Sequence, residues 1–205
     1  MSARKKKPSK STTPVSPEPP RREPEPPTPT PTPSASVSRR APVDLGNALV
    51  HAWKVNERIN QELLDIIAPH IWRVFPPCSK RRNIATSFAH IHNERCMRIK
   101  MSHSSVAVPE RLDRDDVTPD TVRTALAGSA EAMLALIRLG IEAGGLVPNY
   151  RPDVVAMTCG AMVHEAHHRG QIAHWARELG APISPEQSLK LWEWGKIHNQ
   201  VNRVT

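Results

Sequence analysis

Ten histidines occur in this 205-residue chain, and four fall within eleven residues: His164-Glu165-Ala166-His167-His168-Arg169-Gly170-Gln171-Ile172-Ala173-His174. A helix turns about 100° per residue, so His164 and His168 sit about 40° apart and one turn along the axis. Two imidazoles so placed can bind one divalent cation without distorting the helix. Met157, Ala161, Gln171, Trp175 and Leu179 share the stripe; being mostly apolar, it is expected to face the protein interior. Neutral imidazoles buried there need partners, and one metal satisfies both. The competing reading is a set of unconnected core and surface histidines. An i,i+4 pair on an inward stripe, with a third histidine beside it, favours the metal.

The same residues satisfy H-E-x-x-H, the zinc-protease pattern in which Glu is the general base, and His174 stands at the spacing of a third ligand. Those enzymes place glycine where this chain has Gln171. Here Gly170 is one residue early, and Ile172 to Leu179 continue the helical pattern. In an unbroken helix His174 lies about 15 Å along the axis from His164, too far to share its metal, and Glu165 is rotated by about 100°. No strand is available to align a peptide, so the protease reading is set aside. Glu94 and Glu165 are conceivable general bases, but both are expected to be solvated helix charges. No clear nucleophile is present; Cys96 and Cys159 read as small apolar helix residues.

A third ligand must come from elsewhere, and Phe88-Ala89-His90-Ile91-His92-Asn93-Glu94-Arg95 offers two histidines. His90 and His92 are about 200° apart on a helix, so only one can point at a given site. The wheel places His92 nearer the Ile84/Phe88/Ile91 face, but periodicity leaves both open.

The elements that must position these residues read as helices. Leu45, Leu49, Ala52, Trp53, Ile59, Leu63, Ile66 and Ile67 recur at helical spacing until Pro69. After the breakers Pro76-Pro77-Cys78-Ser79-Lys80, a second helix is expected from about Arg82 to Ser102, and residues 103–118 are polar and irregular. Thr118-Pro119 is an N-cap followed by proline at the first helical position. The third helix then carries Val122, Leu126, Met133, Leu134, Ile137 and Ile141 until Gly144-Gly145 stops it. A fourth runs from near Pro152-Asp153 to Leu179, ended by Gly180 and Pro182. Ser184-Pro185-Glu186-Gln187 starts a short fifth with capping-box spacing. No segment shows the alternation of a strand. The expected fold is all-α, an up-and-down four-helix bundle with a short fifth C-terminal helix.

The charge of +8 is concentrated ahead of these helices. Residues 1–42 carry nine Lys/Arg against three Glu, and twelve of the 21 prolines, whereas the remaining 163 residues carry 19 basic and 17 acidic side chains. The expected organisation is a disordered basic Pro-rich tail over residues 1–42 and one helical domain over 43–205. The tail lacks the apolar stretch of a secretory signal. A nearly neutral domain lacks the basic face that nucleic-acid binding needs. No apolar run approaches the ~18–20 residues that span a bilayer, so no membrane crossing is expected. Cys78, Cys96 and Cys159 form neither a disulfide framework nor a CxxC knuckle, which fits a reducing, cytoplasmic setting.

Over roughly residues 45–200 the chain resembles the DinB family, of the DinB/YfiT-like metalloenzyme superfamily. His164-Glu165-Ala166-His167-His168-Arg169-Gly170-Gln171 is similar to its H-x-x-H-H-R-G-Q signature. Ile84-Ala85-Thr86-Ser87-Phe88-Ala89-His90-Ile91 looks like its second-helix segment, and Leu191-Trp192-Glu193-Trp194 supports the match. The resemblance implies a four-helix bundle holding a divalent metal, nickel or zinc, by three histidines, one on the second helix and two on the fourth. Carried over by motif these are His90, His164 and His168. His167, Arg169 and Gln171 belong to the motif without being implied as ligands. Gln171 shares the ligand face and can serve as an outer contact; Arg169, on the other side, is expected to form an ion pair.

Three neutral histidines would leave a cation its full charge and open positions, the arrangement of catalytic sites. The resemblance implies a metal-dependent enzyme acting on a small molecule, by transfer of a low-molecular-weight thiol or by hydrolysis, and working as a homodimer. The alternatives are a non-catalytic metal-binding stress-response protein and a dimeric interaction bundle. One scaffold hosts several chemistries.

Overall fold

The computed structural model describes residues 42–203; the basic Pro-rich segment expected over residues 1–42 lies, apart from Pro42, outside them. The described residues are all-helical: α1 (Leu45–Ile66), α2 (Ile84–Met101), α3 (Pro119–Glu142), α4 (Val154–Glu178), α5 (Pro185–Lys190) and α6 (Trp194–Arg203), with a 3-10 turn at Pro69–Ile71. A lone bridge between Val147 and Tyr150 is the nearest approach to a strand among them.

Side-chain caps set where the helices begin. The Asp44 carboxylate accepts from the Asn47 amide, and Asp153 does the same for Ala156. Asn83 and Thr86 form a reciprocal capping box at 2.9 Å each way, so α2 starts at Ile84 rather than Arg82. Thr118 with Thr121, and Ser184 with Gln187, build the same device ahead of Pro119 and Pro185. Ala68 precedes Pro69, which disfavours helical backbone, and α1 closes with Ile67 already extended. Gly144 and Gly145 take positive φ after α3.

Helix α1 packs against α3, α4 and α6, and α2 against α3 and α4. One apolar cluster gathers Leu63, Phe88, Ile91, Leu126, Ile172 and Trp175; another gathers Leu49, Trp53, Met133, Ile137, Met157 and Ala161. Gly140 permits a close approach: a Cβ there would stand 2.7 Å from Cγ2 of both Val147 and Val154, so only glycine lets the start of α4 lie against α3. The expected single C-terminal helix is two. The break after α5 lets Ile197 of α6 bury against Val55 and Ile59 of α1, a gain an uninterrupted short helix would forgo.

One premise of the sequence reading is corrected, that no stretch is long and apolar enough to cross a membrane. By length and composition α3 could cross a membrane; scanning for an unbroken apolar run missed it because Arg123, Glu131 and Arg138 interrupt the apolar residues. Its Val122, Leu126, Met133 and Ile137 are fully buried within the protein.

A polar network crosses the interior. Arg95 of α2 is 1% exposed and Glu165 of α4 is 2% exposed. They meet through two hydrogen bonds, Nε to Oε1 at 2.7 Å and Nη2 to Oε2 at 2.8 Å. From α1, the Asn56 and Asn60 amides each donate to Glu165 Oε2 at 2.7 Å. Arg95 Nη1 also donates to the Leu126 carbonyl at 2.9 Å and lies 2.7 Å from Glu57 Oε2. Four helices are thereby tied to one guanidinium.

Candidate metal centre

The ion pair fixes the mutual register of α2 and α4, and each helix presents histidine on another face. His90 of α2 and His164 and His168 of α4 come together, each offering one ring nitrogen, with the three atoms within 4.8 Å of one another. Ring centroids are 4.6 Å apart for His90–His168 and His164–His168, and 5.3 Å for His90–His164. His168 is 3% exposed and His90 8% exposed, with His164 half-buried.

Burial holds these rings neutral. It pushes His90 down to about 3, helped by His168, Arg82 and Arg114. His168 goes down to about 4 for the same first reason, against the opposing Gln171 hydrogen bond, and burial also lowers His164. The His168 tautomer follows from its partner. The Gln171 side-chain oxygen lies 2.9 Å from Nδ1 and can only accept, so Nδ1 carries the proton. The Nε2 lone pair then faces His164 Nε2 at 3.2 Å. A lone pair fixed by an outer hydrogen bond and aimed at two other imidazoles is the donor arrangement that a borderline divalent cation fits.

Two groups reach His90 Nδ1: Arg114 Nη2 at 3.3 Å and Glu94 Oε1 at 4.0 Å. The arginine needs a lone pair on Nδ1, whereas the carboxylate needs a proton there. Only the second tautomer frees Nε2 as a donor. Arg82, Arg98 and Arg114 all act on the cluster's electrostatics, opposed by Glu94.

The other sequence candidates lie elsewhere. Both His92 nitrogens are occupied by backbone carbonyls, Nδ1 at 2.9 Å from Ala125 and Nε2 at 2.8 Å from Glu110, so this ring is a buried spacer between α2, α3 and the preceding loop. The helical wheel favoured it because it does face the core. His167 is exposed, with its ring 5.2 Å from that of His168. His174 is exposed and pairs with Glu178 instead.

Three expectations are corrected. Glu165 is no solvated charge. Burial alone would raise its pKa, but Arg95, Asn60 and Asn56 hold the carboxyl below its usual value, and with its lone pairs engaged it has no capacity to act as a general base. Arg169 does lie away from the histidines, but its Nη1 donates to the Asn56 and Asn60 side-chain oxygens at 2.9 and 2.8 Å rather than to a carboxylate. Cys159 is exposed, whereas Cys96 is buried as expected. Arg95 was overlooked although its spacing gave a signal: it falls seven residues after Phe88 and four after Ile91, on the same apolar stripe.

An open cavity of ≈ 1010 Å³ is lined by Trp53, Arg58, Gln61, Arg123 and Leu134 and includes none of the three histidines.

The model of the DinB family matches residues 160–195, a short segment that contains His164 and His168 but not His90. No curated protein and no solved structure matches the chain.

Proposed function

We propose that the chain is a divalent-metal protein of the DinB type, an up-and-down four-helix bundle formed by α1–α4, in which His90, His164 and His168 hold nickel or zinc. The observation carrying this reading is the convergence of three neutral imidazoles from two helices, with the Glu94 carboxylate 4.0 Å from one of them. A cation there would supply Lewis acidity toward a bound thiol, water or carbonyl. The chain's own groups do the rest. Gln171 orients His168, Glu94 would favour a proton on His90 Nδ1 once it closes from 4.0 Å and displaces Arg114 there, and Arg82, Arg98 and Arg114 draw an anionic small molecule or thiolate toward the cluster. The reaction fitting these parts is thiol transfer or hydrolysis on a small molecule, performed by a homodimer in the cytoplasm with α3 as a core helix.

Elemental analysis of protein purified without chelators tests the metal, with the content expected to fall by one ion per chain in His168→Ala. Thiol-dependent consumption of electrophiles, lost in His164→Ala, tests the enzyme. Metal retained without any turnover supports the non-catalytic metal-binding reading. Absence of metal leaves an interaction bundle, for which the cavity beside Trp53 is the favouring observation.

A further inference from the structure

A second set of metal-type donors lies at the C-terminal end of α4. Cys78, in the turn ahead of α2, places its Sγ 3.0 Å from Glu178 Oε2. His174 Nε2 stands 3.4 Å from Glu178 Oε1. One donor atom from each of the three lies within 4.8 Å of the others. His174 and Glu178 share a face at i,i+4, a local consequence of helix geometry. Cys78 does not come by that route: it is 100 residues away from Glu178 in sequence. The fold brings a sulfur to a nitrogen–oxygen pair.

We propose that Cys78, His174 and Glu178 form a second, structural cation site that takes Zn²⁺. The donors are one sulfur, one nitrogen and one oxygen, a set that a borderline-soft ion accepts and that magnesium and calcium do not favour. Charge agrees: a thiolate and a carboxylate neutralise a divalent cation, whereas the histidine trio leaves its ion fully charged. All three side chains are exposed, so an ion can enter and a water can complete a tetrahedron. Binding exchanges the thiol proton, which the Glu178 carboxylate accepts as a hydrogen bond here, for the metal and releases that proton to solvent. His174 is six residues beyond His168, about 9 Å along the axis and about 120° around it, so the two sites hold separate ions. The site would clamp the segment before α2 to the end of α4, bracing the two helices that carry His90, His164 and His168. It does not depend on the first site or on any catalytic activity.

Cobalt substitution of the full chain tests it, because thiolate ligation gives a sulfur-to-cobalt charge-transfer band that an all-histidine site cannot give. The band is expected in the unsubstituted protein and in His164→Ala/His168→Ala, where the first site is gone. It should vanish in Cys78→Ser and be lost or strongly weakened in His174→Ala. Zinc content should fall by one ion per chain in Cys78→Ser. Absence of the band from the unsubstituted protein, or its persistence in Cys78→Ser, overturns the assignment. Because Cys78 is exposed in a turn, the serine variant keeps the fold, and the double variant reports on this site whether or not the histidine trio binds metal.

Discussion

Arg95 and Glu165 face each other in a two-pronged hydrogen-bonded pair, Nε to Oε1 at 2.7 Å and Nη2 to Oε2 at 2.8 Å, one residue along the chain from His164. The planar guanidinium admits only one orientation of the carboxylate, so this contact sets the rotation of α4 against α2. His164 and His168 then face His90 on the neighbouring surface. The residue that gives the chain its protease-like H-E-x-x-H pattern is therefore a structural anchor for the histidines beside it.

That role predicts the behaviour of Glu165→Gln. Removing one partner of a buried pair costs up to about 3–5 kcal/mol, and here Glu57, 2.7 Å from Arg95 Nη1, remains to offset part of the guanidinium charge. Urea unfolding should show the loss, and Arg95→Met combined with Glu165→Gln should be less damaging than the two single losses added together. Undiminished stability with abolished turnover would instead return Glu165 to the role of general base.

The histidine pair and the buried anchor differed in how plainly the sequence displayed them. His164 and His168 were legible because both sit on one helix, where spacing alone implies contact. The choice between His90 and His92 was not, because both rings are buried on the same helix and only their partners separate them: two carbonyls around His92, two imidazoles around His90. Asn56, Asn60 and Arg95 lie at apolar-stripe positions, but their partner sits on another helix, and no periodicity within one helix reports what faces it. The break between α5 and α6 was hidden for the same reason, since it serves the burial of Ile197 on α1.

The two second-helix histidines should accordingly respond in opposite ways to replacement. His90→Ala is expected to lose the ion held by the histidine trio while unfolding near the parent midpoint, because its ring makes no backbone hydrogen bond that folding requires. His92→Ala should keep its metal and lose about 1–3 kcal/mol, the cost of removing the one ring N–H that serves either the Ala125 or the Glu110 carbonyl. Metal content and denaturation midpoints measured on the same two samples decide it, and loss of metal in His92→Ala alone would reverse the assignment.

Gln171 acts on the metal only through His168. Gln171→Ala frees His168 Nδ1 from its acceptor and should weaken metal affinity about 10–100-fold, the usual effect of losing an outer partner of a ligating histidine. Chelator competition measures this, with Gln171→Glu, which keeps an acceptor at the same place, recovering most of the affinity. An unchanged affinity in Gln171→Ala would mean that the 2.9 Å contact does not fix the tautomer.

Acid should weaken the metal-free protein earlier than its carboxylates alone would. Burial lowers His90 from 6.5 to about 3 and His168 from 6.5 to about 4, and lowers His164 and His92 as well. Between those values and 6.5 the unfolded chain takes up protons that the folded chain refuses. Stability therefore falls as pH drops below about 6.5 and is independent of these rings above it. Urea midpoints in the presence of chelator should decline between about pH 7 and 5, and the decline should be shallower in His90→Gln/His168→Gln, whose amides do not titrate. Bound metal needs the same neutral rings, and the folded chain keeps His90 and His168 neutral over that range, so the ion should be retained there and released only at lower pH. A double variant that retains the full slope would show that the protons are taken up elsewhere in the unfolded chain.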